Sequence, residues 1–221
     1  MVAKSRSKKP TAPPSSTLLL LVRHGQTPST GTTLPGRAKG LHLADTGRIQ
    51  AGAVAARLAT LTNIEAIYAS PLERTRETAA PIATALGQKV ITERGLLECE
   101  FGEWTGQKLS DLRKKPEWET VQRYPSGFRF PGGESFSEMQ QRMVSTLDRL
   151  ALAHRGKAVV AVSHADPIKA AVAHALGTHL DLFQRIVVSP CSVSAILHTT
   201  TGPIVLAVNS TGDDLKALVP S

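Results

Sequence analysis

Arginine and histidine stand side by side in Arg23-His24-Gly25, a second arginine closes Ser70-Pro71-Leu72-Glu73-Arg74, and a second histidine ends Val162-Ser163-His164. A guanidinium group is a planar fork of donors that matches the oxygens of a phosphate, which a lysine does less well. An imidazole held neutral can attack as a nucleophile. Two acids, Glu98 and Glu100, flank Cys99 and are rival candidates for a proton-transfer role. An isolated Arg-His pair is equally at home in a solvated loop, so everything depends on whether the chain brings these segments together.

The flanking elements say that it does. Leu18 to Val22 is a short apolar run that reads as a buried strand delivering Arg23 and His24 to one edge of a sheet. Small and apolar residues recur at helical spacing from Asp45 to Leu61, with Asp45 or Thr46 placed as cap. Ile64 to Ala69 is a second strand. Pro71 suits the first turn of a helix running to Leu86, where Gly87 can end it. A weaker strand covers Lys89 to Thr92. Irregular chain follows from Leu96 to Gly106, and then short helical pieces interrupted by Pro116 and Pro125. Ser135 to His154 reads as a long helix, with Glu138 completing a capping box and Gly156 beyond its end. Lys157 to Ser163 is the clearest strand, Pro167 to Leu176 the helix after it, and Val193 to Leu197 and Ile204 to Val208 bracket a Gly202-Pro203 turn. Alternating strands and helices predict a three-layer α/β/α sandwich with a mostly parallel central sheet, and ligand sites at the carboxyl ends of its strands. His24, Arg74 and His164 all fall there.

Taken in order, the strings LVRHGQT from Leu21, GRAKGLHLADTG from Gly36, SPLERTRETA from Ser70, LLECEFGEWTG from Leu96 and VSHADPIKA from Val162 resemble the signatures of the histidine phosphatase superfamily, the phosphoglycerate mutase-like family that includes many small phosphatases. The likeness covers nearly everything after residue 16. It implies a phosphomonoesterase that passes a phosphoryl group from a small phosphorylated metabolite to His24 and then to water, with no metal and no cofactor. Arg23 and Arg74 are then the phosphate clamp, and their charge keeps His24 neutral. His164 completes the pocket. Glu98, three residues before Phe101-Gly102, is the general acid of that pattern and leaves Glu100 without a role. Arg37 and Thr27 are weaker phosphate contacts, with a solvated loop residue and a loop cap as their plain alternatives. A cofactor-dependent phosphomutase is the rival enzyme, and a non-catalytic phosphate-binding module the rival class. The compact stretch from Glu98 to His164 favours hydrolysis over the mutase, and the intact acid argues against the module.

The chain also departs from the pattern. Thr30 stands where many relatives have asparagine, the loop between His24 and Arg37 is longer, and Ala165-Asp166 follows His164 where relatives carry glycine. Asp166 could orient His164, repel acidic substrates or cap the following helix, and capping is the plainest expectation.

Composition sets the remaining bounds. The 221 residues suffice for one domain with a substantial core. Residues 1–16, with Lys4, Arg6, Lys8 and Lys9 among prolines and small polar residues, read as a disordered basic tail, and 17–221 as the catalytic domain, with 99–134 its cap and specificity segment. The formal charge of +8 comes from 26 basic and 18 acidic residues, so four of the eight excess charges sit in that tail. Specific nucleic-acid binding is not expected, and no stretch is long enough to span a membrane. Two cysteines, Cys99 and Cys191, suggest no disulfide framework or zinc site and fit a cytoplasmic location. His42, His154, His174, His179 and His198 match no metal motif, and no nucleotide-binding fingerprint occurs. The oligomeric state is open, with a homodimer among the options.

Overall fold

A computed structural model describes residues 16–212 and Leu215. Its elements run β1 (Thr17–Arg23), α1 (Asp45–Leu58), β2 (Ile64–Ala69), α2 (Glu73–Leu86), β3 (Val90–Thr92), α3 (Leu109–Leu112), α4 (Glu117–Arg123), α5 (Phe136–Ala153), β4 (Ala158–Ser163), α6 (Ala165–Ala175), β5 (Val193–Thr199) and β6 (Gly202–Ser210). The strands form one six-stranded sheet in the order β3-β2-β4-β1-β5-β6. The first four are mutually parallel, and β5 and β6 join antiparallel. This is the three-layer α/β arrangement that the alternating pattern implied. The basic tail expected over residues 1–16 lies outside the described residues except for Ser16, whose carbonyl accepts the Gly156 N–H at 3.1 Å.

Because helices cover both faces, a central strand must be apolar on both sides. In β1, Leu18, Leu20 and Val22 share a core with Ala51, Val54 and Leu58 of α1 and with Ala79 and Ile82 of α2. The alternate residues Leu19 and Leu21 pack with Met143, Leu147 and Leu150 of α5 and Ile168 and Val172 of α6. These two cores are aliphatic. All five phenylalanines of the chain and Trp104 instead gather in a third cluster beneath α3 and α4, with Trp118 packed against it. Phe130 is its hub, with ring centroids 4.8 Å from Phe101, 5.0 Å from Phe128 and 5.1 Å from Phe136.

Several boundaries follow the sequence. The capping box of Ser135 and Glu138 opens α5, and Gly87 ends α2 at φ 62°, in the left-handed region where glycine carries no Cβ penalty. Others differ. Helix α1 stops at Leu58 rather than Leu61, and neither Asp45 nor Thr46 caps it. The capping position is Ala44, which has no side-chain acceptor. Asp45 is the first helical residue, where its charge favours the helix N-terminus. Chain entry is fixed instead by the Ala44 N–H, which donates to the Gln26 carbonyl at 2.9 Å. Pro71 precedes α2 rather than lying in its first turn, because Leu72 takes the capping position. Asp166 does not cap α6 either. His164 holds that position, and the Asp166 carboxylate turns to the Lys169 ammonium at 3.3 Å.

Candidate active site

Parallel register is what sets the two histidines together. Arg23 of β1 lies opposite Ser163 of β4, so the next residue of each strand emerges at the same level of the sheet edge. The rings of His24 and His164 meet edge to face, with centroids 5.2 Å apart. On the other side of β4, β2 ends at Ala69. The Ser70 N–H then donates to the Val162 carbonyl at 3.0 Å, and the Ser70 hydroxyl lies 2.9 Å from His164 Nε2. One turn later α2 carries Arg74 into the interior, fully buried. The loop after His24 crosses the start of α1 so closely that a Cβ on Gly25 would stand 2.6 Å from the Gly47 carbonyl oxygen, and one on Gly47 would stand 2.1 Å from that of Gln26. Glycine at both places is a steric requirement of the crossing.

His24 is 5% exposed, and its Nδ1 lies 2.7 Å from the Gly25 carbonyl oxygen. A carbonyl can only accept, so Nδ1 carries the proton and Nε2 keeps the lone pair. Burial, then the charges of Arg74 and Arg23, hold the imidazole pKa well below its ordinary value. The expectation from sequence named the two arginines, but burial is the larger cause. His164 is depressed in the same direction, by burial first and Arg74 next. The two arginines each anchor one arm on a carbonyl. Arg23 Nη1 donates to Val188 O and Arg74 Nη2 to Gly36 O, both at 2.7 Å. That leaves Arg23 Nε, Arg74 Nε and Nη1, and His164 Nδ1 buried without a hydrogen-bond partner. Unpartnered buried polar nitrogens of this kind are costly unless a ligand or water meets them.

Glu98 is 7% exposed, and its Oε1 accepts the Cys99 N–H at 3.0 Å. Burial raises its pKa to about 7, helped by the Asp166 charge and opposed by Arg74, the Cys99 N–H and Arg23. The carboxyl therefore divides between its acid and base forms near neutrality, as a group that first gives and later takes a proton requires. Glu100 instead faces Arg37 at 3.5 Å.

A cavity of about 390 Å³ is lined by Arg23, His24, Thr27, Glu98, Asp166 and Lys169, whereas the fully buried Arg74 and His164 lie outside its lining. Thr27 is buried, and its hydroxyl lies 3.1 Å from Ser29 Oγ and 3.0 Å from Thr30 Oγ1. Arg37 is outside this lining. Its Nε donates to the Glu98 carbonyl at 2.8 Å and its Nη2 to Glu134 at 3.0 Å, so its fork is occupied in holding the acid segment.

Sequence reasoning did not find Glu134 or Arg142, which complete that hold. Arg142 on α5 donates to Glu134 and to the carbonyls of Gly95, Leu97 and Glu98. An acid just before a helix and an arginine two turns along it are too ordinary a pair to stand out. Four of the other five histidines have partners: His154 meets Glu65 and Tyr68, His198 meets Asp148, His42 meets Glu77, and His179 meets Asp181. Among the described residues no group of three or more His, Cys, Asp or Glu is arranged to hold a metal ion, and no helix is long and apolar enough to cross a membrane.

A neutral, lone-pair-bearing imidazole among buried guanidinium groups, at the carboxyl edge of a mostly parallel sheet, defines an α/β protein built to receive an anionic group. The chain belongs to the histidine phosphatase superfamily (branch 1), whose family profile matches residues 19–211. It is 34% identical over 200 residues to a bifunctional protein of Mycobacterium tuberculosis, covering 89% of this chain and 54% of that one, so it spans about half the length of that relative. It is 31% identical over 206 residues to phosphoserine phosphatase 1 of Hydrogenobacter thermophilus, covering 87% of this chain and 92% of the relative. Among solved structures it resembles a phosphoserine phosphatase from Entamoeba histolytica in complex with phosphoserine, at TM-score 0.81 and 25% identity over 89% of this chain and 98% of the other.

Proposed function

We propose that this chain is a phosphomonoesterase acting on a small phosphorylated metabolite through a phosphohistidine on His24, without a metal. The observation that carries this is the set of buried, unpartnered nitrogens on Arg23, Arg74 and His164 beside a neutral His24. Phosphoryl transfer asks mainly for position and positive charge, and the two guanidinium groups bring both. With the phosphoryl oxygens held by Arg23, Arg74 and His164, His24 Nε2 attacks phosphorus as the P–O bond to the alcohol breaks. Glu98 gives its proton to the departing oxygen. Glu98 then takes a proton from water, the oxygen of that water attacks phosphorus, and the P–N bond breaks to return His24 and release phosphate. Thr27 adds a hydroxyl to the pocket, and Arg37 acts as a positioning residue behind Glu98. Residues 99–134 supply the cap that sets specificity, supported by Phe101 and Leu109 on the cavity wall. A reducing cytoplasm suits the two free, buried cysteines.

Mixing the protein with ³²P-labelled substrate and quenching in alkali should trap label on His24, and His24→Ala should show neither label nor turnover. Label on another residue removes the proposed nucleophile. Turnover that depends on a bisphosphorylated primer makes the protein a mutase instead.

A further inference from the structure

Asp166, whose charge helps raise the pKa of Glu98, also belongs to an ion pair on the cavity wall. On α6, Asp166 and Lys169 face each other at 3.3 Å, each side chain 18% exposed. Lys169 also donates to Gln184 Oε1 at 3.2 Å. These three residues line the cavity that holds His24. They also line a second cavity of about 310 Å³, bordered by Trp118, Phe130 and Phe136. An alcohol that extends from the phosphate toward the cap must therefore lie against them. We propose that the Asp166–Lys169 pair makes this wall charge-neutral and so selects phosphate esters of neutral, hydroxyl-bearing alcohols over esters whose alcohol carries a carboxylate. The inference rests on the phosphatase reading above.

Two features support that choice. Among the described residues that line the cavity holding His24, the cations are Arg23 and Lys169. Arg113 lines only the second cavity, and the Lys169 charge is met by Asp166. Arg23 and Arg74 do not make up for it, because the phosphatase reading assigns their unpartnered donors to the phosphoryl oxygens. The carboxylate of an alcohol short enough to stay in the cavity holding His24 would meet the Asp166 charge without reaching Arg113, and like-charge contact in a partly buried site is strongly unfavourable. The same cavity is lined by Thr27, Ser29, Thr30 and Thr33, whose hydroxyls are of a type that can hydrogen-bond an alcohol in either direction.

The test compares two esters of one skeleton, glycerol 3-phosphate and 3-phosphoglycerate, in which CH2OH replaces the carboxylate. We expect kcat/KM for 3-phosphoglycerate to be at least tenfold the lower. Asp166→Asn, which frees Lys169, should raise the ratio of 3-phosphoglycerate to glycerol 3-phosphate about tenfold, and Lys169→Met should lower it. Reading a ratio at one pH cancels any common effect on Glu98. Equal or better use of 3-phosphoglycerate by the native protein overturns the proposal, as does a ratio unmoved in both folded variants. Nitrophenyl phosphate is the control. If it is hydrolysed in either case, the phosphatase reading stands whatever the ratio. If no ester is hydrolysed, that reading falls and this one with it.

Discussion

At the scale of single residues, the groups gathered at the carboxyl edge of the sheet are each denied their ordinary state. His24 would be half protonated at its ordinary pKa of 6.5, but burial between two cations keeps it neutral. Arg23 and Arg74 each use one nitrogen to fix the fork on a carbonyl and keep others unpartnered, as the proposed phosphate clamp requires. A lysine keeps the charge but cannot do both. Arg23→Lys or Arg74→Lys should therefore cost about 10²-fold in kcat/KM, the scale of losing one transition-state donor. Near-native turnover in both would remove the clamp. Glu98 has its pKa held at about 7, with Asp166, Arg74, Arg23 and the Cys99 N–H as its facing groups. Because only its protonated form can serve an alkoxide, kcat/KM for an alkyl phosphate should fall about tenfold per pH unit above pH 7. A nitrophenyl ester, whose leaving group needs little protonation, should fall less, and Glu98→Gln should abolish the difference while Glu100→Gln keeps it. Parallel profiles for the two esters in the native protein would exclude Glu98 as the acid.

At the scale of elements, the sheet and the acid segment are held by different means. Strand register places His24 and His164 through backbone pairing alone. The Leu97–Cys99 backbone belongs to no strand, and side chains do the work: Arg142 from α5 and Arg37 from the loop after β1 bind its carbonyls and share Glu134. Removing Arg142 leaves three carbonyls and a carboxylate short of donors. Arg142→Met should lower stability by about 3 kcal/mol, the lower end for breaking a buried charge pair. Calorimetry measures that loss. In the protein that remains folded, kcat for alkyl phosphates should drop more than kcat for nitrophenyl phosphate, since the acid has lost its support. Equal losses would reduce Arg142 to a purely structural role.

At the scale of the whole molecule, two imidazoles buried neutral tie the site to the stability of the fold. The folded pKa values of His24 and His164 lie below the unfolded ones, so the unfolded chain binds more protons as pH falls below 6.5. Their contribution is complete above the unfolded pKa and is lost as pH drops toward the folded values. The native protein should therefore lose Tm on acidification more steeply than the His24→Asn, His164→Asn double variant. Identical slopes in a calorimetric pH series would show that the imidazoles are not buried neutral. A phosphate analogue such as vanadate should raise Tm by mass action in the native protein and less in Arg74→Lys.

Much of this was legible along the chain because it is local. An apolar run such as Leu18 to Val22 is a buried strand wherever it packs, Ser135 and Glu138 make a capping box with their own backbone, and Gly87 ends a helix through its own φ. Arg23, His24, Arg74, Glu98 and His164 carry types and spacings that resemble one family, so the sequence named them before any contact was known. Tertiary structure alone decided what lies between elements. Asp166 looked like a cap, but Lys169 lies one turn along and draws its carboxylate away. Arg37 looked like a phosphate ligand, but Glu134 and the Glu98 carbonyl occupy its fork. The neutrality of His24 depends most on burial, which belongs to no residue but to the layers of chain around it. A sequence records which groups can bond, whereas the competition among bonds is settled only when distant segments are packed to within a few ångströms.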